Sequence, residues 1–256
     1  MLLVIDVGNT NIVMGIYRER KLLFSWRVRT ERNTTEDEFD FLVSGLFTGA
    51  GLRPREDIAN TVISSVVPPM TAILDGFCRK YLNHAPLWVD ARQAGVMPIH
   101  YDNPQEVGAD RIVNAVAAYE RFRCSLIVID FGTATTFDAV SAGGAYLGGA
   151  ISPGIHIAAD ALFMNASRLP RVEIFTPPER VIGKNTVASI QSGIIFGYAG
   201  LVDGLVNRMR KDLAPEVKVV ATGGLAPLIY QVSETIDIVA PDLILEGLRL
   251  IHERAQ

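Results

Sequence analysis

The sequence predicts an α/β protein built from two tandem copies of one unit, and three observations carry that reading. The phrase Leu3-Val4-Ile5-Asp6-Val7-Gly8 returns as Ile127-Val128-Ile129-Asp130-Phe131-Gly132, residue 6 matching residue 130 at an offset of 124 in a chain of 256. Self-similarity at a fixed offset marks a repeated architecture. Each copy continues through small polar residues, Asn9-Thr10-Asn11 or Thr133-Ala134-Thr135-Thr136, into a second β-like run, a polar or glycine turn and a third run. Each half then changes from an alternating period to a helical one.

The elements follow in order. After the first strand, residues 12–17 form the second β-like run and residues 18–21 the turn. A helix is predicted over 36–47, because Thr34-Thr35 is a cap signal, acids fill the first turn, and Phe39, Leu42, Val43 and Leu46 make an apolar stripe. Residues 61–67 are a short β-rich run ended by Pro68-Pro69. Residues 110–122 show helical spacing at Ile112, Val113, Val116 and Tyr119. In the second half, residues 137–140 and the turn 141–144 repeat the opening pattern. The glycine-rich region 143–164, broken by Pro153, His156 and Asp160, reads as sheet and turns. A long helix over 189–209, a strand over 217–222 and a last helix over 241–252 complete the chain. The boundary is placed near residue 115, giving domains 1–115 and 116–256. No low-complexity linker marks it, so close packing of the two is expected.

Composition narrows the function. Lys plus Arg number 24 against 28 Asp plus Glu, a net charge of −4 with a pI near 5.6. That balance lacks the basic footprint of a nucleic-acid or anionic-membrane surface. With 49% hydrophobic and 20% charged residues the chain has ample core to bury. Cys78 and Cys124 are far apart and outside any CxxC spacing, so neither a disulfide framework nor a zinc site is expected, and a reducing cytoplasm is the simplest setting. Met1 to Ile5 is apolar but meets Asp6 at once, which is too short for a signal peptide, and no uninterrupted apolar stretch reaches about 18 residues.

The repeated phrase has a chemical reading. A strand that delivers an Asp into a glycine turn followed by hydroxyl and amide residues can bind phosphate and its counter-ion. Gly allows the sharp turn and close approach, backbone N–H groups face the oxygens, and the carboxylate reaches the metal. A lone Asp-x-Gly is more often a simple turn; its recurrence at one offset is hard to require for packing. A third glycine signal, Thr222-Gly223-Gly224, follows the 217–222 strand and equally fits a base-binding backbone or a plain strand-to-helix turn. Gly183-Lys184 is no P-loop, since Pro178 stands where the first Gly is needed and Asn185 replaces the Ser/Thr. No GxGxxG follows either opening strand, so a dinucleotide site is unsupported. His84, His100, His156 and His252 have no ligand spacing.

Asp6-Val7-Gly8-Asn9-Thr10-Asn11, Asp130-Phe131-Gly132-Thr133-Ala134-Thr135 and Thr222-Gly223-Gly224 together resemble the two phosphate motifs and the adenosine motif of the actin, hexokinase and Hsp70 superfamily. Their combination with Gly108-Ala109-Asp110-Arg111 resembles the type III pantothenate kinases, from residue 3 to the last helix. The resemblance implies two tandem ribonuclease-H-like (actin-like ATPase) domains related by duplication, with an interdomain nucleotide cleft. It also implies transfer of the ATP γ-phosphate to the 4′-hydroxyl of pantothenate, the first step of coenzyme A synthesis, in a cytoplasmic homodimer that needs Mg²⁺ and a monovalent cation, K⁺ or NH₄⁺.

Residue roles are implied in the same way. Residues Asp6, Val7, Gly8, Asn9, Thr10, Asn11, Ile12 and Val13, with Gly132, Thr133, Gly223 and Gly224, would hold ATP. Asp6 would meet its Mg²⁺, and Asp130 the monovalent cation. Asp110 would accept the hydroxyl proton; an Asp before a helix is equally an N-cap. Arg111 would fork onto the pantothenate carboxylate, or be a solvated first-turn residue. Tyr101, Gly108, Ala109 and Thr186 complete the implied acceptor set, Thr186 being equally a helix cap. Lys184 reads as an exposed turn lysine. Two other functions fit the fold: a kinase of another small hydroxylated acid, distinguished by the 101–111 loop, and a nucleotide-binding regulatory module without catalysis, against which the three intact aspartates argue. For a dimer, the residues themselves offer only the apolar run Ile194, Ile195, Phe196 and Tyr198, which a buried helix inside one domain explains equally well.

Overall fold

The computed structural model describes residues 1–90, 97–174, 176–213 and 216–256. The chain divides into two compact units, one of Met1–Met97, Asp102–Ala117 and Ile244–Gln256, the other of Pro98–Tyr101 and Ala118–Leu243.

The first unit is built on a five-stranded mixed sheet. Strands β1 (Leu2–Val7), β2 (Asn11–Arg18) and β3 (Lys21–Arg29) form an antiparallel meander; β4 (Asn60–Ser65) and β5 (Leu87–Trp88) add in parallel on the other side of β1, giving the order β3-β2-β1-β4-β5. β1 reads as a nearly continuous apolar run because both its faces are covered, as a central strand requires. Leu3, Ile5 and Val7 join Phe39, Phe47, Phe77 and Met70 in one core, where the Phe39 and Phe77 rings meet edge to face at 5.1 Å. Those aromatics come from α1 (Glu36–Gly49) and α3 (Pro68–Phe77); a short α2 (Pro54–Asp57) lies between them in the chain. The predicted cap holds, since Thr35 and Glu38 exchange both bonds of a capping box. Pro68 does more than end β4: it occupies the first position of α3, where its missing N–H costs nothing. On the opposite face, Gly15 leaves room for Leu245 of the last helix, α8 (Leu243–Arg254), where a Cβ would come within 3.1 Å of the leucine.

The second unit repeats the plan. β6 (Ser125–Phe131), β7 (Ala134–Val140) and β8 (Tyr146–Pro153) form the meander, and β9 (Val217–Gly223) and β10 (Ile238–Val239) add in parallel to β6, giving β10-β9-β6-β7-β8. Between the two meanders runs α4 (Ala109–Phe122), at whose residue 117 the division falls. One expectation is corrected here. Region 143–164 is not all sheet and turns: β8 ends at Pro153, and α5 (Ile155–Asn165) follows, because Pro153-Gly154 breaks the strand and Ala158, Ala159, Ala161, Leu162 and Met164 are strong helix formers.

The long helix α6 (Thr186–Asp212) turns Ile195, Tyr198, Val202 and Val206 into the core of this unit, against Ile129, Phe131 and Phe137. It is long and apolar enough by composition to span a bilayer, yet that buried stripe belongs to a protein core. The apolar run noted in the sequence is therefore explained largely within the unit. α7 (Ala226–Tyr230) follows β9. Both cysteines are free; burial pushes the Cys78 thiol up to about 12, which keeps it protonated at neutral pH.

Candidate active site

In the first unit, the turn between β1 and β2 is tightened by a hydrogen bond from the Gly8 N–H to the Asn11 carbonyl, 3.0 Å. The end of β3 clasps it from outside. Thr30 Oγ1 donates to the Gly8 carbonyl at 2.7 Å, the Thr30 N–H donates to the Thr10 carbonyl at 3.0 Å, and Arg32 Nη2 donates to Asn9 Oδ1 at 2.9 Å. Asp6, one residue inside the strand, pairs in register with Ser64 of β4, whose buried hydroxyl donates to Asp6 Oδ1 at 2.6 Å. Ser64, Thr30 and Arg32 escaped the sequence reading because their partners lie 58, 22 and 23 residues away. The side chains of Val7 and Ile12 are in the core, so any contact they make with a ligand is through the backbone.

The turn before α4 is ordered by its own short-range bonds. Asn103 caps a 3-10 turn at Pro104–Glu106, Val107 is buried, and α4 begins at Ala109, with the Gly108 carbonyl accepting from the N–H groups of Arg111 and Ile112. Asp110 is thus the second residue of the helix and not its N-cap. Its Oδ1 accepts the Arg111 N–H at 2.8 Å, a donor that it shares with the Gly108 carbonyl. Burial pushes the Asp110 carboxyl above its ordinary value, against the opposing pull of the Arg111 N–H and guanidinium. Arg111 is 8% exposed, so the reading of a solvated residue fails.

In the second unit, the Gly132 N–H bonds the Ala134 carbonyl at 3.1 Å to close the matching turn, and the Gly154 N–H ties the Thr133 carbonyl to the head of α5, also at 3.1 Å. Asp130 pairs in register with Thr136 on one side and Thr222 on the other. Gly223 has φ +91°, and a Cβ there would fall 2.6 Å from Asp130 Oδ1, so this glycine is demanded both by the turn and by the aspartate. Gly224 follows it, exposed, ahead of α7. Thr186 opens α6, but the cap is Asn185, which accepts the Ala188 N–H at 2.9 Å; Thr186 is exposed and, with Lys184, Leu162, Leu169, Ile190 and Ile194, lines a cleft of about 700 Å³. Tyr101, 37% exposed, belongs to this unit, whereas Gly108 to Arg111 belong to the first.

A meander whose first strand delivers an aspartate and a glycine turn, present twice with identical strand order, defines the ribonuclease-H-like pair of the actin-like kinases. The fold is similar to that of a crystal structure described as a 2-dehydro-3-deoxygalactonokinase from Sinorhizobium meliloti, with TM-score 0.62 over 100% of this chain and 96% of that one at 13% identity, a likeness of fold alone. The chain belongs to the type III pantothenate kinase family, whose model matches residues 2–208. It is 63% identical over 254 residues to a type III pantothenate kinase of Desulfatibacillum aliphaticivorans, covering 99% of this chain and 98% of that one. It is 60% identical to another from Desulfosudis oleivorans over 256 residues, 100% of both.

Proposed function

We propose that this chain is an enzyme that transfers the γ-phosphoryl group of ATP to the 4′-hydroxyl of pantothenate, the first step of coenzyme A synthesis. Family membership supplies the reaction, and full-length identity at 60–63% to pantothenate kinases supplies the acceptor. The geometric observation that supports it best is the Asp110 carboxylate, drawn partly out of water at the head of α4 and raised in pKa, the condition in which a carboxylate is a useful base. The two other readings, a regulatory module and a kinase of a different acid, are not favoured by that family assignment.

Phosphoryl transfer asks the protein chiefly for positioning and charge neutralisation. In the proposed step the 4′-oxygen forms a bond to the γ-phosphorus, the bond from that phosphorus to the β,γ-bridging oxygen breaks, ADP leaves, and the hydroxyl proton passes to Asp110. Tyr101, Gly108, Ala109, Arg111 and Thr186 would hold the pantothenate, Arg111 through its carboxylate. The backbone of Gly8 to Val13 and of Gly132, Thr133, Gly223 and Gly224 would hold the nucleotide. Among the described residues no group of three or more His, Cys, Asp or Glu converges. A divalent ion would be held by Asp6 together with the substrate's phosphates, a ligand set that suits Mg²⁺. Bound there, Mg²⁺ supplies neutralisation of the phosphate charge. We assign K⁺ or NH₄⁺ to Asp130, which β6 carries one residue before its end as β1 carries Asp6. The cytoplasm is the proposed setting, in keeping with two free thiols. A homodimer is proposed as well, supported by the exposed apolar side chains Ile157, Phe163 and Met164 of α5 and Val181 and Ile182 before α6.

The deciding experiment is a coupled ADP-release assay with ATP and Mg²⁺, with and without pantothenate, in K⁺ and then Na⁺ buffer. Pantothenate-dependent turnover that is faster in K⁺ is expected. ATP turnover indifferent to pantothenate would overturn the acceptor, and equal rates in both buffers would remove the cation assignment.

A further inference from the structure

A buried polar pair that the reaction does not use stands behind Tyr101. Tyr146, at the start of β8, is fully buried, and its hydroxyl donates to Asp138 Oδ1 at 2.8 Å. Asp138, on β7, is 1% exposed and accepts a second bond from Thr136 Oγ1 at 3.3 Å. A phenol and a carboxyl buried together contribute less than apolar residues of the same volume would, so such a pair earns its place by fixing an orientation. What it orients is visible in the backbone. The Tyr146 N–H donates to the Pro98 carbonyl and the Tyr146 carbonyl accepts the His100 N–H, both at 2.8 Å, and Ile99 bridges to Tyr146 in parallel. Residue 146 therefore grips segment 98–100 from both sides, and the next residue is Tyr101.

The side chains continue the linkage. The rings of Tyr101 and Tyr146 lie 6.3 Å apart at 55°. Tyr101 also rests over Gly148, whose φ of +111° and missing side chain keep that ground open; a Cβ there would meet the Tyr101 ring at 3.3 Å.

We propose that Tyr146, held by Asp138, is a positioning residue that sets Tyr101 at the angle and depth at which it meets the acceptor, so that the pair tunes selection of pantothenate without touching it. The proposal rests on the reading that Tyr101 contacts pantothenate. Losing the hydroxyl in Tyr146→Phe keeps the apolar packing and the backbone bonds to residues 98 and 100, and releases the ring from Asp138.

The test is a double-mutant cycle of Tyr146→Phe and Tyr101→Ala in the full chain, with KM for pantothenate, KM for ATP, kcat and thermal midpoint measured for each; Asp138→Asn serves as a second route to the same loss. Tyr146→Phe and Asp138→Asn should each raise the pantothenate KM about fivefold, the worth of one hydrogen bond. The ATP KM and kcat should stay within about twofold, and Tyr146→Phe should add nothing on the Tyr101→Ala background. The proposal is overturned if Tyr101→Ala raises the pantothenate KM while Tyr146→Phe does not, if the two effects simply add, or if both KM values, kcat and the midpoint worsen together, as a purely structural pair would produce. If Tyr101→Ala itself leaves the pantothenate KM unchanged, the reading of Tyr101 falls and takes this proposal with it.

Discussion

The Asp110 carboxylate stands where a side chain on residue 108 would have to go: a Cβ built on Gly108 would lie 2.5 Å from Asp110 Oδ1. A side chain at residue 108 and the present position of the Asp110 carboxylate are thus mutually exclusive. Gly108→Ala is expected to displace the carboxylate and lower kcat by about 10- to 100-fold, the scale of a misplacement near 1 Å. Its ATP KM should stay within about twofold. Steady-state kinetics on the purified variant check this; an unchanged kcat would show that the carboxylate takes no part in the rate-limiting step.

Asp110 also predicts a pH signature. A base must be ionised to act, so kcat/KM falls as pH drops through its pKa, and because burial raises that pKa the acid limb should lie above the ordinary value of 3.8. Asp110→Asn should lose the limb and about 10²–10⁴-fold in kcat while retaining ATP binding. The sign for stability runs the other way. The fold disfavours the charged form, so at neutral pH the ionised wild type gives up stability that the neutral Asn variant keeps. Thermal melts should show the variant equal or higher at pH 7, with the gap closing as pH falls.

Ser64 is the residue through which β4 holds Asp6. Ser64→Ala removes a 2.6 Å bond from a fully buried hydroxyl to the half-buried Asp6 carboxylate. The expected cost is about 1–2 kcal/mol, read as a rise of roughly 5- to 30-fold in the KM for Mg²⁺-ATP with the pantothenate KM unchanged. A variant equally impaired toward both substrates would point to general loosening of the sheet.

Asp203 of α6 fastens the loop after α7, accepting from Ser233 Oγ at 2.6 Å, from Thr235 Oγ1 at 2.7 Å, and from the N–H groups of Glu234 and Thr235 at 3.1 Å. Burial pushes its pKa up, but the Ser233 and Thr235 donors and the two backbone groups outweigh it, and the net shift is downward. The stability it contributes is present above the unfolded-state value, about 3.9, and is lost as pH falls through the lower folded value. Asp203→Ala should cost roughly 2–3 kcal/mol at pH 7, with the difference from wild type shrinking on acidification in denaturant titrations. A pH-independent difference would refute the charge-based account.

The local backbone of the candidate site was legible in the linear sequence because its signals are local. The two Asp-x-Gly turns announce themselves as an apolar strand followed by turn residues, and Thr35 and Glu38 spell out their own capping box three residues apart. α5 was missed because glycine-rich sheet and an Ala-rich helix share one apolar stretch, and only the Pro153-Gly154 break separates them. The supports of the turns were not legible: Thr30 meets Gly8, Ser64 meets Asp6, and Tyr146 meets segment 98–100 only after strands distant in sequence are paired.

The sequence by itself determined the duplication, the strand-turn-meander opening of each half and the two Asp-x-Gly turns, since these depend on periodicity, turn chemistry and short spacings. Tertiary structure decided the rest. It returned α8 to the first unit, where Gly15 and Leu245 meet; it placed Tyr101 with the second unit and Asp110 with the first; and it moved the cap of α6 from Thr186 to Asn185. It also showed that a side chain at residue 108 would meet the Asp110 carboxylate, and that one at residue 223 would meet Asp130 and the Phe131 backbone at a positive φ. Such close approaches arise from packing, which a pattern along one dimension does not record.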